Sequence, residues 1–313
     1  QMREAIKKGD PDAIVMTGGL CFFGKDGDRR ARTLIKLLSP DGVDAWAYHG
    51  HGPGFQAERD ALERIREETA KHGADKLPFV ETETGMSADG ASQLLLQART
   101  CVGKTVYAQA EGLPTLVWFA LHFDQPGRYA SAENRIEPRP VVLAYRNMVR
   151  QLRGHRFLRR LDLNLPDVQA HLFRRPDGRV VLVAWATRDG SIPVRLQIAP
   201  ADAPAPAVTA VDLFGNNTPV ETLGGVMQLS LTESPQYVCW TSEEKELTIR
   251  RLPPLIDVEG DVRLVPHAEN VVSVLVRNPL SVEQTLTLTG RLTLGESDVD
   301  ISPRQMTLPA GGE

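Results

Sequence analysis

The sequence predicts a chain of two classes, an α/β half followed by an all-β half. Three observations carry that reading. Short apolar runs alternate with amphipathic helical stretches through residues 1–153, the pattern of βαβ units. Helical periodicity then stops near Arg160, and strand-like runs recur at ~10-residue spacing between turn signals. The 313 residues are 42% hydrophobic and 24% charged, the balance of a folded chain long enough for about two domains.

In the first half, Ala13–Met16 follows the Asp10-Pro11-Asp12 turn signal and runs to Gly18-Gly19, which reads as a strand. Leu34, Ile35, Leu37 and Leu38 mark a helix within 29–38. Residues 43–48 and 77–82 form further strands. Between them 56–72 is a charged amphipathic helix stopped at Lys71-His72-Gly73. A long helix over 88–110 ends at Gly112, a strand follows at 116–121, and a last helix covers 141–152. The strands are near-continuous apolar runs, as expected of buried parallel strands. Each unit takes about 38 residues, the size of a unit in an eight-unit barrel of ~250 residues, so the segment makes about half of one. A four-stranded doubly wound sheet is the alternative. No GxGxxG follows any strand, so a dinucleotide site lacks support.

In the second half, 168–173, 180–185, 193–198, 208–213, 226–231 and 236–240 read as strands of an antiparallel β-sandwich, with Pro176-Asp177-Gly178 as a hairpin turn. Arg251-Leu252-Pro253-Pro254 reads as a linker. Strands at 271–276 and 284–292 then begin a partial Ig-like module. The expected domains are therefore 1–158, 159–248 and 249–313. Both ends read as cut: Gln1 to Lys8 looks like the last turns of a helix whose start is missing.

With Lys plus Arg at 36 and Asp plus Glu at 40, the net charge of −4 gives no reason to seek nucleic acid. No run of ~18 apolar residues exists to span a membrane. Cys21, Cys101 and Cys239 are too scattered for a disulfide framework or a zinc knuckle. No cofactor and no resident metal are expected, and localisation is undetermined.

Chemistry in a barrel of parallel strands sits at the C-terminal strand ends. Here these ends carry Gly18-Gly19, Tyr48 to Gly52, Glu81 to Gly85, and Trp118 to Asp124. The Glu81-Thr82-Glu83-Thr84-Gly85 end is the sharpest signal. Two residues apart on a strand, Glu81 and Glu83 share a face at roughly 6.5 Å, close enough to perturb each other's titration. A carboxylate so placed beside aromatics can attack an anomeric carbon.

These segments resemble the second half of the catalytic barrel of a clan A glycoside hydrolase. REAIKKGDPDAIVMTGGL (3–20) is similar to the stretch through the fifth strand, and VDAWAYHGHG (43–52) to the sixth. LPFVETETG (77–85) resembles the seventh, with its nucleophile in a T-E-x-G-like context, and LPTLVWFAL (113–121) the eighth with its tryptophan. RPVVLAYRNMVRQLRG and RVVLVAW (179–185) fit members with appended β-domains. The resemblance implies Glu83 as nucleophile of a retaining mechanism, His49 as its hydrogen-bond donor, and Trp118 as a sugar-stacking platform. It also implies His51 lining the site and Glu81 either as a buried partner that raises one pKa or as the partner of an arginine. The clan's acid/base follows the fourth strand as Asn-Glu. No such pair stands at a strand end of the first half, and Ala132-Glu133-Asn134 is reversed, so the acid/base is expected to lie outside this chain. The expected partners are an oligosaccharide, polysaccharide or glycoside, and either a missing N-terminal half-barrel or a self-associating copy. By itself the fragment is expected to be inactive.

Two other readings compete. His49-x-His51 with His122 and Asp124 suggests a metal-dependent barrel hydrolase. Trp185 and Trp240 suggest a non-catalytic carbohydrate-binding scaffold, although strand alternation turns both inward.

Overall fold

Apolar spacing in the first half resolves into helices around a small parallel sheet. The computed structural model of the chain describes residues 2–22, 24–88, 91–119, 139–200, 206–223, 225–244, 247–253, 256–258, 274–277, 283–294 and 297–309. The first elements are α1 (Met2–Gly9), α2 (Gly24–Leu38), β1 (Trp46–His49), α3 (Gly54–Ala70), β2 (Phe79–Thr84), α4 (Ala91–Ala110), β3 (Leu116–Trp118) and α5 (Pro140–Leu152). The strands lie side by side in the order β1-β2-β3, all parallel. Trp46, Ala47 and Tyr48 are buried in succession, as expected of a parallel strand covered on both faces. α3 turns Phe55, Leu62 and Ile65 into the core, and α4 turns in Ala98, Cys101, Val102 and Val106. Burying a side chain such as Leu62 or Ile65 contributes about 1.5–3 kcal/mol. α5 begins on Pro140, whose missing N–H costs nothing at a helix start.

The first expected strand does not form. Residues 13–20 meet the backbone of 45–49 through two isolated parallel bridges, Met16 with Ala45 and Leu20 with Tyr48, and through Thr17 Oγ1, which accepts from Ala47 N–H and donates to Ala47 O. Ile14 is 71% exposed there, so its apolar run has no covering layer among the described residues.

The later elements are β4 (Arg156–Arg160), β5 (Val168–Arg174), β6 (Arg179–Ala186), β7 (Ile192–Gln197), β8 (Val208–Val211), β9 (Asn217–Val220), β10 (Thr222–Leu223), β11 (Val226–Leu231) and β12 (Gln236–Thr241). They continue with β13 (Arg250–Leu252), β14 (Ile256–Val258), β15 (Val274–Val276), β16 (Gln284–Leu294) and β17 (Ser297–Leu308). The Pro176-Asp177-Gly178 turn joins β5 to β6, with Gly178 at φ 85°. Strand β13 corrects the linker reading of 251–254: it lies antiparallel on the edge beside β7, and Arg195 Nη1 of β7 donates to Pro253 O at 2.8 Å. An edge tolerates the proline that follows, which has no N–H to offer.

By backbone contacts the chain divides into two units. One holds residues 1–190, 209–218 and 232–240; the other holds 191–208, 219–231 and 241–313. The first contains the helices, the parallel sheet and the antiparallel sheet β4-β5-β6-β12-β8-β9. Phe173, Val181, Val183 and Trp185 of that second sheet share one apolar cluster with Trp46, Phe55 and Val102. The second unit contains the antiparallel sheet β10-β11-β7-β13 and the pairs β14-β15 and β16-β17. Among the described residues no helix is long and apolar enough to cross a membrane.

Candidate active site

The C-terminal ends of β1, β2 and β3 place His49, His51, Glu83 and Phe119 together. The ladders lose regular register there: Tyr48 faces Glu81, but His49 faces Glu83, so β2 carries one extra residue. That slip turns Glu83 outward, half-buried, toward a hollow of 630 Å³ also lined by His51, Met86, Gln93, Leu96 and Phe119. The volume falls within the range of small-molecule pockets. His51 Nε2 lies 3.0 Å from Glu83 Oε1. His49 Nε2 lies 3.8 Å from Glu83 Oε2, beyond hydrogen-bond length. His49 Nδ1 meets Cys21 Sγ at 3.3 Å. Burial lowers the His49 pKa against the opposing pull of Glu83, with His51 adding a smaller push downward, so its ring is neutral at neutral pH. Burial and then the Glu83 carboxylate raise the Cys21 pKa, which keeps it a thiol. Gly19 is required here, because a Cβ at that position would stand 1.8 Å from His49 Nε2.

Beneath the site lies a buried polar cluster. Glu58, Glu81, Thr84 and Lys104 have at most 1% of their surface exposed, and Tyr48 joins them. Tyr48 Oη donates to Glu58 Oε1 at 2.6 Å. Lys104 Nζ donates to Thr84 Oγ1 at 3.0 Å and also to Gly50 O. Thr84 Oγ1 lies 2.9 Å from Gly50 O and 3.2 Å from Glu58 Oε2. Glu81 Oε1 accepts from the backbone N–H of Gly50 at 3.1 Å and of Glu83 at 3.2 Å. Both peptide groups of Gly50 are thus held from below. A side chain at this position would put its Cβ 2.3 Å from Glu58 Oε2.

Burial first, and the Glu58 charge second, push the Glu81 pKa far above the carboxylate range, so Glu81 holds a proton at neutral pH. Burial pulls Lys104 down to about 8, against the pull of Glu58 and Glu81. The folded chain keeps a Glu81 proton that the unfolded chain releases above ~4.3, so this group lowers stability as pH rises from there. Lys104 acts in the opposite sense above about 8. From about pH 4.5 to 8, Glu81 contributes a loss of up to ~1.4 kcal/mol per pH unit. Glu81→Gln is expected to flatten that slope in chemical denaturation at pH 5, 6 and 7. Equal slopes in both proteins would remove the proton from Glu81.

Of the residues singled out in the sequence, Glu83, His49 and His51 come together. Glu81 does not share the hollow with Glu83; its carboxylate partner is Glu58 of α3, because the extra residue in β2 separates the two acids. Trp118 is absent from the lining described for the hollow. Its indole packs against the apolar core, with its nitrogen buried and without a partner among the described residues. Phe119 lines the hollow instead, edge-on to His51 at 6.3 Å. Trp185 and Trp240 are each 4% exposed, so neither offers a face to a sugar. His122, Asp124 and Ala132 to Asn134 lie outside the described residues. Sequence reasoning missed Glu58 and Lys104, although both sit on apolar helical stripes: Glu58 with Leu62 and Ile65, Lys104 with Cys101 and Ala108. A charge in line with a core stripe was the available signal.

Solved structures place this architecture. Over 76% of its length the chain matches a family 39 glycoside hydrolase from the gut symbiont Bacteroides cellulosilyticus WH2, with TM-score 0.55, 20% identity and 53% of that chain covered. It also matches the GH51 arabinofuranosidase from Xanthomonas axonopodis pv. citri (TM-score 0.51, 12% identity, 74% of this chain and 59% of that one). A third match is a monomeric beta-xylosidase from Caulobacter crescentus CB15 (TM-score 0.50, 14% identity, 77% and 64%). The chain shares the fold of glycoside hydrolases. It spans between 53% and 64% of the length of these three. No protein-family model and no curated protein sequence matches it.

Proposed function

We propose that the chain carries the nucleophile of a retaining clan A glycoside hydrolase, and that Glu83 is that nucleophile. The observation that supports this most is the Glu83 carboxylate at the β2 end, held by His51 and facing a sugar-sized hollow, in a fold shared with glycoside hydrolases. In the first step a Glu83 oxygen forms a bond to the anomeric carbon. The glycosidic C–O bond breaks, and its electron pair leaves on the aglycone oxygen. In the second step water attacks the same carbon, giving up a proton to a base, and the ester electrons return to Glu83. Two inversions give net retention. His51 Nε2–H donates to Glu83 Oε1 and orients the carboxylate. Phe119 supplies an apolar edge for sugar C–H groups.

Among the described residues lining the hollow, Glu83 is the one carboxylate. The proposed acid/base therefore comes from elsewhere, which narrows the expected inactivity of the fragment to substrates whose leaving oxygen must be protonated; activated aryl leaving groups should still react with this chain. Residues 1–158 are read as the second half of the barrel, completed by further βα units or by a second copy. Exposed apolar side chains, Leu34 and Leu37 on α2 and Ile14 ahead of it in the chain, support that part.

The test is covalent labelling with a panel of 2,4-dinitrophenyl 2-deoxy-2-fluoro-glycosides of glucose, xylose and arabinose. One sugar should add once per chain by intact mass and map to Glu83 after digestion. No adduct across the panel, or an adduct on another residue, would overturn the assignment.

A further inference from the structure

We propose that His49, His51 and Glu83 also form a capture site for one transition-metal dication of the zinc class. One donor atom from each of the three lies within 4.8 Å of the others. Metal–ligand bonds of ~2.0–2.1 Å in a tetrahedral site put donors ~3.3 Å apart. The contacts of 3.0 Å from His51 and 3.8 Å from His49 to the Glu83 oxygens straddle that spacing. Small rotations of half-buried side chains close the remainder. Two imidazoles and one carboxylate suit zinc, cobalt, nickel or copper better than magnesium or calcium, which take oxygen ligands. Three protein ligands leave the fourth position open to the hollow, the arrangement of a site that keeps an exchangeable ligand.

Two features of the surroundings prepare the site. Cys21 Sγ stands 3.3 Å from His49 Nδ1, so the ring can donate Nδ1–H to the thiol and keep its Nε2 lone pair for a metal. Gly50, between the two histidines, is fixed through both peptide groups by Glu81, Thr84 and Lys104. The backbone that carries the two imidazoles is therefore fixed before any ion arrives. Binding itself does not depend on the glycosidase reading. Its consequence does: an ion on Glu83 ties up the proposed nucleophile, so the metal acts as an inhibitor.

The full chain, stripped with chelator, is titrated with Zn²⁺ by calorimetry and with Co²⁺ by visible absorption. One ion per chain is expected, with intense Co²⁺ bands of low coordination number and binding of Mg²⁺ at least about 100-fold weaker. His51→Ala and Glu83→Gln should each weaken Zn²⁺ binding at least about tenfold, whereas His72→Ala should leave it unchanged. Glu83→Gln keeps the test decisive if His51→Ala does not fold. Absence of stoichiometric binding, or undiminished binding in Glu83→Gln, would overturn the proposal. Labelling of Glu83 without metal binding overturns this inference and leaves the glycosidase reading standing. Metal binding without labelling does the reverse.

Discussion

Replacing Lys104 with methionine is expected to destabilise the first unit by about 3–5 kcal/mol, a large share of the roughly 5–15 kcal/mol that holds a typical domain folded. The lysine is fully buried, and its ammonium donates to the Gly50 carbonyl and to Thr84 Oγ1. Methionine fills most of the volume but leaves Glu58 without a nearby cation and the Gly50 carbonyl with one donor fewer. Removing one member of a buried charged set costs far more than the set contributes as a whole, because the remaining charge stays desolvated. Adding Glu58→Gln to Lys104→Met should recover part of the loss, a coupling of ~0.5–3 kcal/mol. Urea denaturation at pH 7 measures both. A change below about 1 kcal/mol for Lys104→Met would mean that the ammonium is solvated in solution and that the cluster is not closed.

Glu83→Gln is expected to reduce release of dinitrophenolate from the reactive sugar of the panel by about 10⁴-fold or more, since the amide cannot form the ester. The change is nearly isosteric, and the amide oxygen can still accept from His51, so the fold is retained. Glu83→Gly carries the argument further. It opens room for azide to reach the anomeric carbon directly as the phenolate departs, a single displacement. The product should be a glycosyl azide of inverted configuration, identified by NMR. Residual turnover of Glu83→Gln within tenfold of the parent would exclude Glu83 as nucleophile. Retention in the azide product would point to another nucleophile in the chain.

Much of the fold was legible because it follows from periodicity. The helices over 54–70, 91–110 and 140–152 and the strands over 168–174, 179–186 and 226–231 fall within a few residues of their expected positions. Segments whose patterns are ambiguous escaped. Arg156–Arg160 is a strand with three arginines, an edge held by backbone pairing to β5 and by the single ring of Phe157 on the core, too little apolarity to show as a pattern. Arg250–Leu252 is another short edge, and Ala13–Met16 is apolar enough for a strand but has too little pairing to become one. At the site, the sequence pointed to the strand ends and to Glu83, His49 and His51. It misjudged the face of Glu81, because ideal alternation carries no information about an extra residue inserted between Glu81 and Thr84. Long-range partners such as Glu58 and Lys104 declare themselves in sequence only as charges out of place on a greasy stripe.

The doubly anchored Gly50 peptide has a consequence for how this strand end could change over evolution or in the laboratory. Residues 49 and 51 flank a fixed point in the backbone, so a replacement at either position starts from the same anchorage. At 51 a cysteine or aspartate would enter the hollow on that unchanged mount, whereas at 49 the close approach of Gly19 limits the newcomer to the volume of the imidazole.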